Sequence, residues 1–559
     1  MKQVRSQSFS HGALIIMLGT FVSKFIGIFF RLVIGWQIGA EGCGYYGTAY
    51  SVYKPLYAIS LSGLPVALAK IIAENSQSMA THIFKVSRKV FIGLGLVLTL
   101  LMALGSGQLA DNMHNSGARF AIIALAPVAF FGCVSSAYKG YYEGLRDMYP
   151  TAKSEVIEAL TKLVCGPFFA VWGMRLGAEQ FAKTKTLFGL VVANQREAEL
   201  ICGAAGAICG IAGGCFLGMI FLITSCKIRK LDLHESTPKS SKEIISTLVG
   251  LAIPICLSSV VFNISGQIDA KTAKIGLEQA VAVAPLFFKN LVGRIPVNNI
   301  PNLLWGGFGL TFPIYNFVPS IVVSFGVCLL PNLAAAWVAK DRNGIQKFLE
   351  SGLRITNLLG FSAGLFVFSS AKSILFLVYS KRAAEMCLVV SSLRILGLCL
   401  IFTAFTASVN ITLQAIGRVK LPTILMIMGV VIKYTVNKKL VVIPAINIKG
   451  AAIGSLTCYV FIAITGFLMI MRLTQIKINV KSVFLKPALV GLSTMCVGFF
   501  FEQFCLPGAI ARNVFAVCVP LFFCGIFVFV FGGFEEEDLL MLPHSEKLVA
   551  VLRKCKLLH

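Results

Sequence analysis

The sequence predicts an all-α, polytopic membrane protein of about fourteen transmembrane helices, and three observations carry that prediction. Of its 559 residues 57% are hydrophobic and 13% charged, with a mean hydropathy of +0.82. Soluble domains carry about 25% charged residues, so composition alone places the chain in a bilayer. The apolar residues fall in runs of twenty or so, the length an α-helix needs to cross about 30 Å of hydrocarbon. Between the runs, lysine and arginine concentrate in alternate short connections, as the positive-inside rule demands.

The runs lie near residues 12–37, 45–73, 89–110, 118–142, 153–174, 200–225, 244–268, 302–338, 352–379, 387–414, 420–443, 450–471, 484–504 and 513–532. The first is read as a retained span, because Lys2 and Arg5 precede it but no small-residue cleavage site follows. Pro55 and Pro65 in the second run, and Pro313 and Pro319 in the eighth, remove backbone donors and predict kinks. In the sixth, Gly206, Gly210, Gly214 and Gly218 recur every four residues and predict a face along which a neighbouring helix packs closely. The stretch 270–300 interleaves apolar residues with Pro285 and Pro296, consistent with a re-entrant or interfacial piece.

The formal net charge of +26 would suggest nucleic acid on a soluble protein. Here the excess lies largely in connections: Lys2 and Arg5; Lys85, Arg88 and Lys89; Lys227, Arg229 and Lys230; Lys340, Arg342 and Lys347; Arg472, Lys477 and Lys481. Those segments are expected on the cytoplasmic side, with both termini, facing anionic lipid; no nucleic-acid partner is expected. The pattern is less clean at 175–199 and 270–300, which hold Lys183, Lys185, Arg196, Lys274, Lys289 and Arg294. The acidic run Glu535–Asp538 opens a tail read as a solvated cytoplasmic helix. Seventeen cysteines are scattered without metal-ligand spacing and read as small packing residues, so no metal and no cofactor is expected.

Basic residues inside the apolar runs are the functional signal. Lys24 and Arg31 lie seven residues apart in the first run, close to two helical turns, so both project from one face. A charge at the bilayer centre costs about 3 to over 10 kcal/mol, so such residues face protein or a wet cavity. The alternative is snorkelling to an interface. Glu155, Glu158 and Lys162 share a helix face, where Glu158 and Lys162 form the favourable i,i+4 pairing. Two readings stand for these carboxylates: an internal ion pair, or a gate or ion-coupling site.

Two connections resemble each other. Gly144–Thr151 (GLRDMYPT) precedes the fifth run and Gly417–Thr423 (GRVKLPT) the eleventh, each a basic turn ending in Pro-Thr at a helix start. Six spans separate them, which suggests a duplicated six-helix unit.

The same residues carry a family resemblance. Gly144–Glu158 (GLRDMYPTAKSEVIE) is similar to the pattern GLxxMxPTAxSQxxEQ of MATE-like (MOP superfamily) polysaccharide-export and lipid II flippase proteins, especially the branch of stage V sporulation protein B. Ser23 and Lys24, Gly27–Arg31, Gly39–Tyr46, Tyr50–Tyr53, Gly63–Lys70, Pro313–Asn316, Leu330 and Pro331, Gln414–Val419 and Gly450–Gly454 extend the match over nearly the whole chain. The resemblance implies two six-helix lobes around a central cavity (residues 1–233 and 234–476), two further helices (477–533) and a cytoplasmic tail (534–559). It implies flipping of an undecaprenyl-pyrophosphate-linked cell-wall precursor, lipid II or a related lipid-linked saccharide, to the outer leaflet of a bacterial cell membrane. Arg31 falls on the family's first-helix arginine, Lys24 on a position usually basic, and Lys54 near a basic residue of helix two; all three are expected to bind phosphate. Asp269 resembles a family acidic position and Lys433 a family lysine, so both join Glu155 and Glu158 as gate or ion-coupling candidates, with Na+ or H+ as the coupling ion. The sequence departs from the family at Asn302–Phe312, which holds no arginine where the family contributes one; Lys289 or Arg294 is the substitute on offer.

Other classes fit less well. A MATE-type cation-coupled multidrug exporter needs buried carboxylates, whereas the charge within these runs is mostly positive. An enzyme needs a catalytic constellation, and the chain has no HExxH, no GxxxxGK[ST] loop and no Cys/His cluster.

Overall fold

The computed structural model describes residues 9–59, 63–228, 240–293, 296–476, 478–506, 508–533 and 535. Lys2, Arg5, Arg229, Lys230, Arg294, Lys477 and the tail beyond Glu535 lie outside the described residues. Among those described there is no β-strand, and the architecture is all-α as the hydropathy pattern requires.

By contact the chain divides into two compact units, Met1–Ile275 with Asn299–Leu310, and Gly276–Asn298 with Thr311–His559. The division falls inside two helices, whereas the four segments drawn from the sequence break at connections.

The first unit contains α1 (Phe9–Ala58), α2 (Leu64–Ala73), α3 (Gln77–Leu104), α4 (Ser106–Asn112), α5 (Arg119–Gly144), α6 (Tyr149–Thr184) and α7 (Gln195–Ile228), with the beginnings of α8 (Ser241–Val283) and α10 (Ile300–Tyr315). α1 is not one rod. Gly39 sits at φ 66°, ψ −171°, a conformation only glycine adopts freely, and there the helix turns back on itself. Arg31 and Tyr46 prove the reversal. Fifteen residues of straight helix would hold them about 22 Å apart, yet the guanidinium carbon lies 4.5 Å from the ring centroid. The first and second runs are therefore two legs of one hairpin, residues 9–38 and 40–58. Residues 59 and 63, which lie between Pro55 and Pro65, take π-helical in place of α-helical form.

The glycine strip does what its spacing predicts. A Cβ on Gly206 would stand 2.0 Å from the Phe169 carbonyl oxygen, and one on Gly210 2.2 Å from the Gly166 Cα, so α7 lies backbone to backbone against α6. Gly140 and Gly144 of α5 press likewise on Pro65 and Ile72 of α2. Between α2, α3 and α5 lies an apolar core built on Leu68, Ile72, Phe84, Phe91 and Tyr141, with Phe84 and Tyr141 stacked at 4.4 Å.

The second unit holds α9 (Pro285–Val292), α11 (Phe317–Val338), α12 (Arg342–Val378), α13 (Ala383–Cys387), α14 (Val390–Ala415), α15 (Lys420–Leu440), α16 (Lys449–Thr474), α17 (Lys486–Glu502) and α18 (Ile510–Val530). α12 kinks at Ser370 (φ −102°, ψ 16°), and Glu502 of α17 accepts the backbone N–H of Lys372 at 3.0 Å and Arg394 at 2.6 Å. A carboxylate thus satisfies a donor beside the kink, as a low-dielectric setting requires. Glu535, the acidic residue expected in a solvated tail, instead pairs with buried Arg354 of α12 at 2.6 Å, and Ser482 donates to the same carboxylate.

Ten helices among the described residues are long and apolar enough to span a membrane, so that measure does not reach the expected fourteen. The runs it leaves out depart from straight apolar rods. Run 45–73 is merged into the α1 hairpin and α2; run 244–268 belongs to α8, whose end and α9 meet at 105°; run 302–338 divides at Asn316, between Pro313 and Pro319; α15 carries four lysines. The 105° bend is a broken span or a re-entrant loop and accounts for the proline-rich stretch at 270–300.

The glycine strip makes a paired prediction. Gly206→Ala should lower unfolding stability by about 2 kcal/mol through overpacking. Gly213→Ala, where nothing lies within 4 Å, should be neutral or stabilising. Thermal melts of the detergent-solubilised variants separate the two.

Candidate functional site

The polar residues of the α1 hairpin, α5, α6 and α7 form a connected strip within the first unit. It begins at Arg31. The guanidinium lies over the face of Tyr46, which is 2% exposed, and Gly309 of α10 keeps the other side open: a Cβ there would come within 3.9 Å of a guanidinium nitrogen. Among the described residues Arg31 has no carboxylate partner; its polar neighbours are Tyr46, Cys43 and Tyr50. A cation–π contact contributes about 0.5 to 2 kcal/mol, less than a buried guanidinium loses on desolvation. Arg31 is therefore held but not neutralised.

From Tyr46 the strip follows the second leg. Tyr50 stacks on Tyr46 at 5.8 Å with rings 11° from parallel; Tyr53 follows at 6.1 Å and Tyr57 at 4.8 Å beyond it. Positions 46, 50, 53 and 57 share one helical face. Lys54 Nζ stands 5.4 Å from the Tyr50 ring centroid, so Arg31 and Lys54 attach to neighbouring rings of one ladder.

α6 brings the acids to the same ladder. Glu158 accepts from Lys162 Nζ at 2.7 Å and from the Cys215 thiol of α7 at 3.1 Å. Glu155, one turn earlier, accepts from Lys139 Nζ of α5 at 3.3 Å and from the Thr20 hydroxyl of α1 at 2.9 Å. Lys162 acts electrostatically on Tyr46 and Tyr50, and Glu158 on Tyr53 and Tyr57, so carboxylates and cations face the tyrosines together. The i,i+4 pair expected from the sequence is formed. With Lys54 on the ladder and Glu143 of α5 acting on Lys139, the strip holds Arg31, Lys54, Lys139 and Lys162 against Glu143, Glu155 and Glu158, a formal excess of one positive charge.

The remaining sequence candidates lie apart. Lys24 is exposed on the first leg among exposed Phe21, Val22, Phe25 and Phe29, about 10 Å along the helix from Arg31. Asp269 is buried in α8 of the first unit; Lys433 is buried in α15 of the second. Lys289, offered as a substitute for the missing arginine, is exposed on α9, also in the second unit.

Several residues of the strip escape the sequence reading. Lys139 is a basic residue inside the run 118–142 and carries the same signal as Lys24, but the sequence reading passes over it; Cys215 and the tyrosines carry none of their own, although the i, i+4, i+7, i+11 spacing of the tyrosines is legible once a helix is assumed. A second polar cluster sits beside the Gly39 turn. Buried Glu41 accepts from Asn299 at 2.9 Å, and Asn302 donates to the Glu41 carbonyl at 2.7 Å. Asn115 joins Asn302 to Thr48, at 3.0 and 2.9 Å. Gly306 allows this approach, since a Cβ there would lie 1.7 Å from the Ala40 carbonyl oxygen. The cluster fastens the start of α10 to the hairpin and so sets Gly309 opposite Arg31.

A helical hairpin, kinked and broken spans and a net-positive intramembrane strip define a membrane protein with the fold of MOP-superfamily transporters. The solved lipid II flippase MurJ, in an inward closed conformation, superposes with a TM-score of 0.65 over 93% of this chain and 98% of that one, at 15% identity. An inward-facing multidrug-resistance MATE transporter gives 0.63 over 84% and 98%, at 16% identity. The profile described as polysaccharide biosynthesis protein matches residues 9–337, more than half the chain, and the MatE profile matches residues 280–438. The chain belongs to the polysaccharide biosynthesis protein family. Among curated relatives, stage V sporulation protein B of Bacillus subtilis is 22% identical over 499 residues, covering 87% of this chain and 88% of that protein.

The Lys139–Glu155 pair is testable apart from function. Glu155→Ala removes the hydrogen-bonded carboxylate of a buried ammonium and should cost about 3 kcal/mol, whereas Lys139→Met with Glu155→Leu should fall within about 1 kcal/mol of the parent. Unfolding in detergent measures both.

Proposed function

We propose that this protein flips an undecaprenyl-pyrophosphate-linked cell-wall precursor, lipid II or a related lipid-linked saccharide, from the cytoplasmic to the outer leaflet by alternating access. The observation that carries the reading is Arg31, a guanidinium within a membrane span whose described neighbours are tyrosine rings and a thiol rather than a carboxylate. An anion arriving there removes the electrostatic cost of the site, and the planar fork of Arg31 suits two phosphate oxygens at once. Lys54, one ring further along, and Lys24, exposed on the first leg, add point charges. Membership of the polysaccharide biosynthesis family and likeness to a lipid II flippase support the same substrate class.

In this reading the head group enters from the cytoplasm, phosphate docks on the cations, the two lobes rock, and the polyprenyl tail stays in the bilayer. Residues 1–233 and 234–476 act as the lobes, with 477–533 as additional helices. A membrane potential negative inside assists outward movement of the anion, and Na+ or H+ is the coupling ion. Asp269 and Lys433 are gate or coupling candidates, with Glu155 and Glu158. Both termini face the cytoplasm of a bacterial cell membrane. Export of cationic drugs is disfavoured because Glu155 and Glu158 are each committed to a lysine.

Reconstitution with fluorescent lipid II and a leaflet-access assay tests the proposal. Arg31→Ala should reduce flipping tenfold or more, consistent with about 1.5 to 3 kcal/mol for hydrogen bonds to a charged group. Arg31→Lys, keeping the charge without the fork, should fall between. A parental rate in correctly inserted Arg31→Ala protein would remove Arg31 as the anchor.

A further inference from the structure

We propose that Lys162 is a further phosphate-binding cation of this site, and that Glu158 is a resident anion which releases it when a pyrophosphate arrives. The inference rests on the reading of Arg31 as a phosphate anchor and extends it to a neighbouring pair.

Three observations support it. The first is position. Arg31 and Lys54 lie on the faces of Tyr46 and Tyr50, the same two rings that Lys162 acts on electrostatically from α6. Arg31 and Lys54 contact these rings, and Lys162 acts on the same pair electrostatically from α6.

The second is chemistry. One oxygen of the Glu158 carboxylate, Oε1, accepts from both the Lys162 ammonium at 2.7 Å and the Cys215 thiol at 3.1 Å, as a single phosphate oxygen would. An anion held by a lysine can be exchanged for another anion if the pair is reachable. It is: the Glu158 and Lys162 side chains retain 16% and 26% exposure, against 23% and 10% for Glu155 and Lys139, so Lys162 is the more exposed of the two lysines.

The third is an unused hydrogen-bonding group. The Tyr53 hydroxyl is buried, with the residue 1% exposed, and has no partner among the described residues, although a buried phenol normally finds one. It belongs to the ring next to Tyr50 and lies within the field of Glu158 and Cys215. A carboxylate displaced from Lys162 therefore has two donors waiting, the Cys215 thiol and the Tyr53 hydroxyl. Displacement costs less than abandoning a buried charge, because those donors and Lys139 still face Glu158.

The exchange gives the site a resting state in which Lys162 is already neutralised. Only a ligand with enough charge to outcompete a tethered carboxylate frees Lys162. That favours a pyrophosphate, with more charge and more oxygens, over a single carboxylate or an uncharged polyprenol.

Binding of undecaprenyl pyrophosphate to the full-length protein in detergent micelles tests this, with undecaprenol as the uncharged control and a thermal melt to confirm folding. Glu158→Gln removes the competing anion and should tighten pyrophosphate binding about tenfold without changing undecaprenol binding. The pair Glu158→Gln with Lys162→Met removes the cation too, leaves no buried charge unpaired, and should bind about tenfold more weakly than the parent. Equal affinities for Glu158→Gln and the double variant would overturn the assignment of Lys162. Parental affinity in Glu158→Gln would overturn the competition. Arg31→Ala in the same assay separates the two levels: weaker binding there with no effect of Lys162 retains the anchor and discards the extension, whereas parental binding in Arg31→Ala strikes the anchor itself.

Discussion

A charge that must sit in hydrocarbon governs the first unit. Arg31 lies about 12 Å along the helix from the turn at Gly39, within a membrane leg, where water is not available to solvate it. Tyrosine rings on the returning leg partly replace that water. Their approach requires α1 to reverse direction, and the reversal requires a residue tolerant of φ 66°. Cation, ring and glycine form one device; the hairpin puts the guanidinium against Tyr46.

The carboxylates follow from a second close approach. Gly206 and Gly210 let α7 lie backbone to backbone on α6, and Gly214 and Gly218 leave the space beside α7 that the Lys162 and Glu158 side chains occupy. Cys215, within the same seam, reaches Glu158 because the backbones are so near. Packing in the membrane gains nothing from apolar burial relative to lipid, so dispersion contacts and hydrogen bonds at such seams hold the helices together. The polar strip is therefore part of the packing as well as the candidate binding surface.

The second unit answers the same constraint differently. Two of its guanidiniums are committed to carboxylates: half-exposed Arg394 to Glu502 and buried Arg354 to Glu535, both at 2.6 Å. Glu502 also takes the amide of Lys372 beside the Ser370 kink, so one carboxylate compensates a guanidinium and a distorted stretch of backbone. Gly364 and Gly397 bring α12 and α14 into backbone contact in the same way that the first unit joins α6 and α7. Arg31 differs from these ion pairs in meeting tyrosine and a thiol in place of a carboxylate among the described residues.

Hydropathy, periodicity and proline placement were sufficient for the all-α membrane class, for the small-residue seam on α7, for the interruption at Asn316 and for the Glu158–Lys162 pair. Each depends on neighbours along the chain or on one helical face, where spacing determines geometry. The repeated basic turns also reappear as local structure, with Arg146 and Gly417 both at positive φ ahead of α6 and α15. Tertiary structure alone decided which cations meet tyrosine. Lys24 and Arg31 are equivalent by spacing, but only Arg31 lies opposite the returning leg, because the reversal point sets which turn of one leg faces which turn of the other. It also decided that Glu155 meets Lys139, and that Glu41 and three asparagines fasten α10 to the hairpin. Those contacts join residues 16 to 261 positions apart, a distance over which no local pattern carries information.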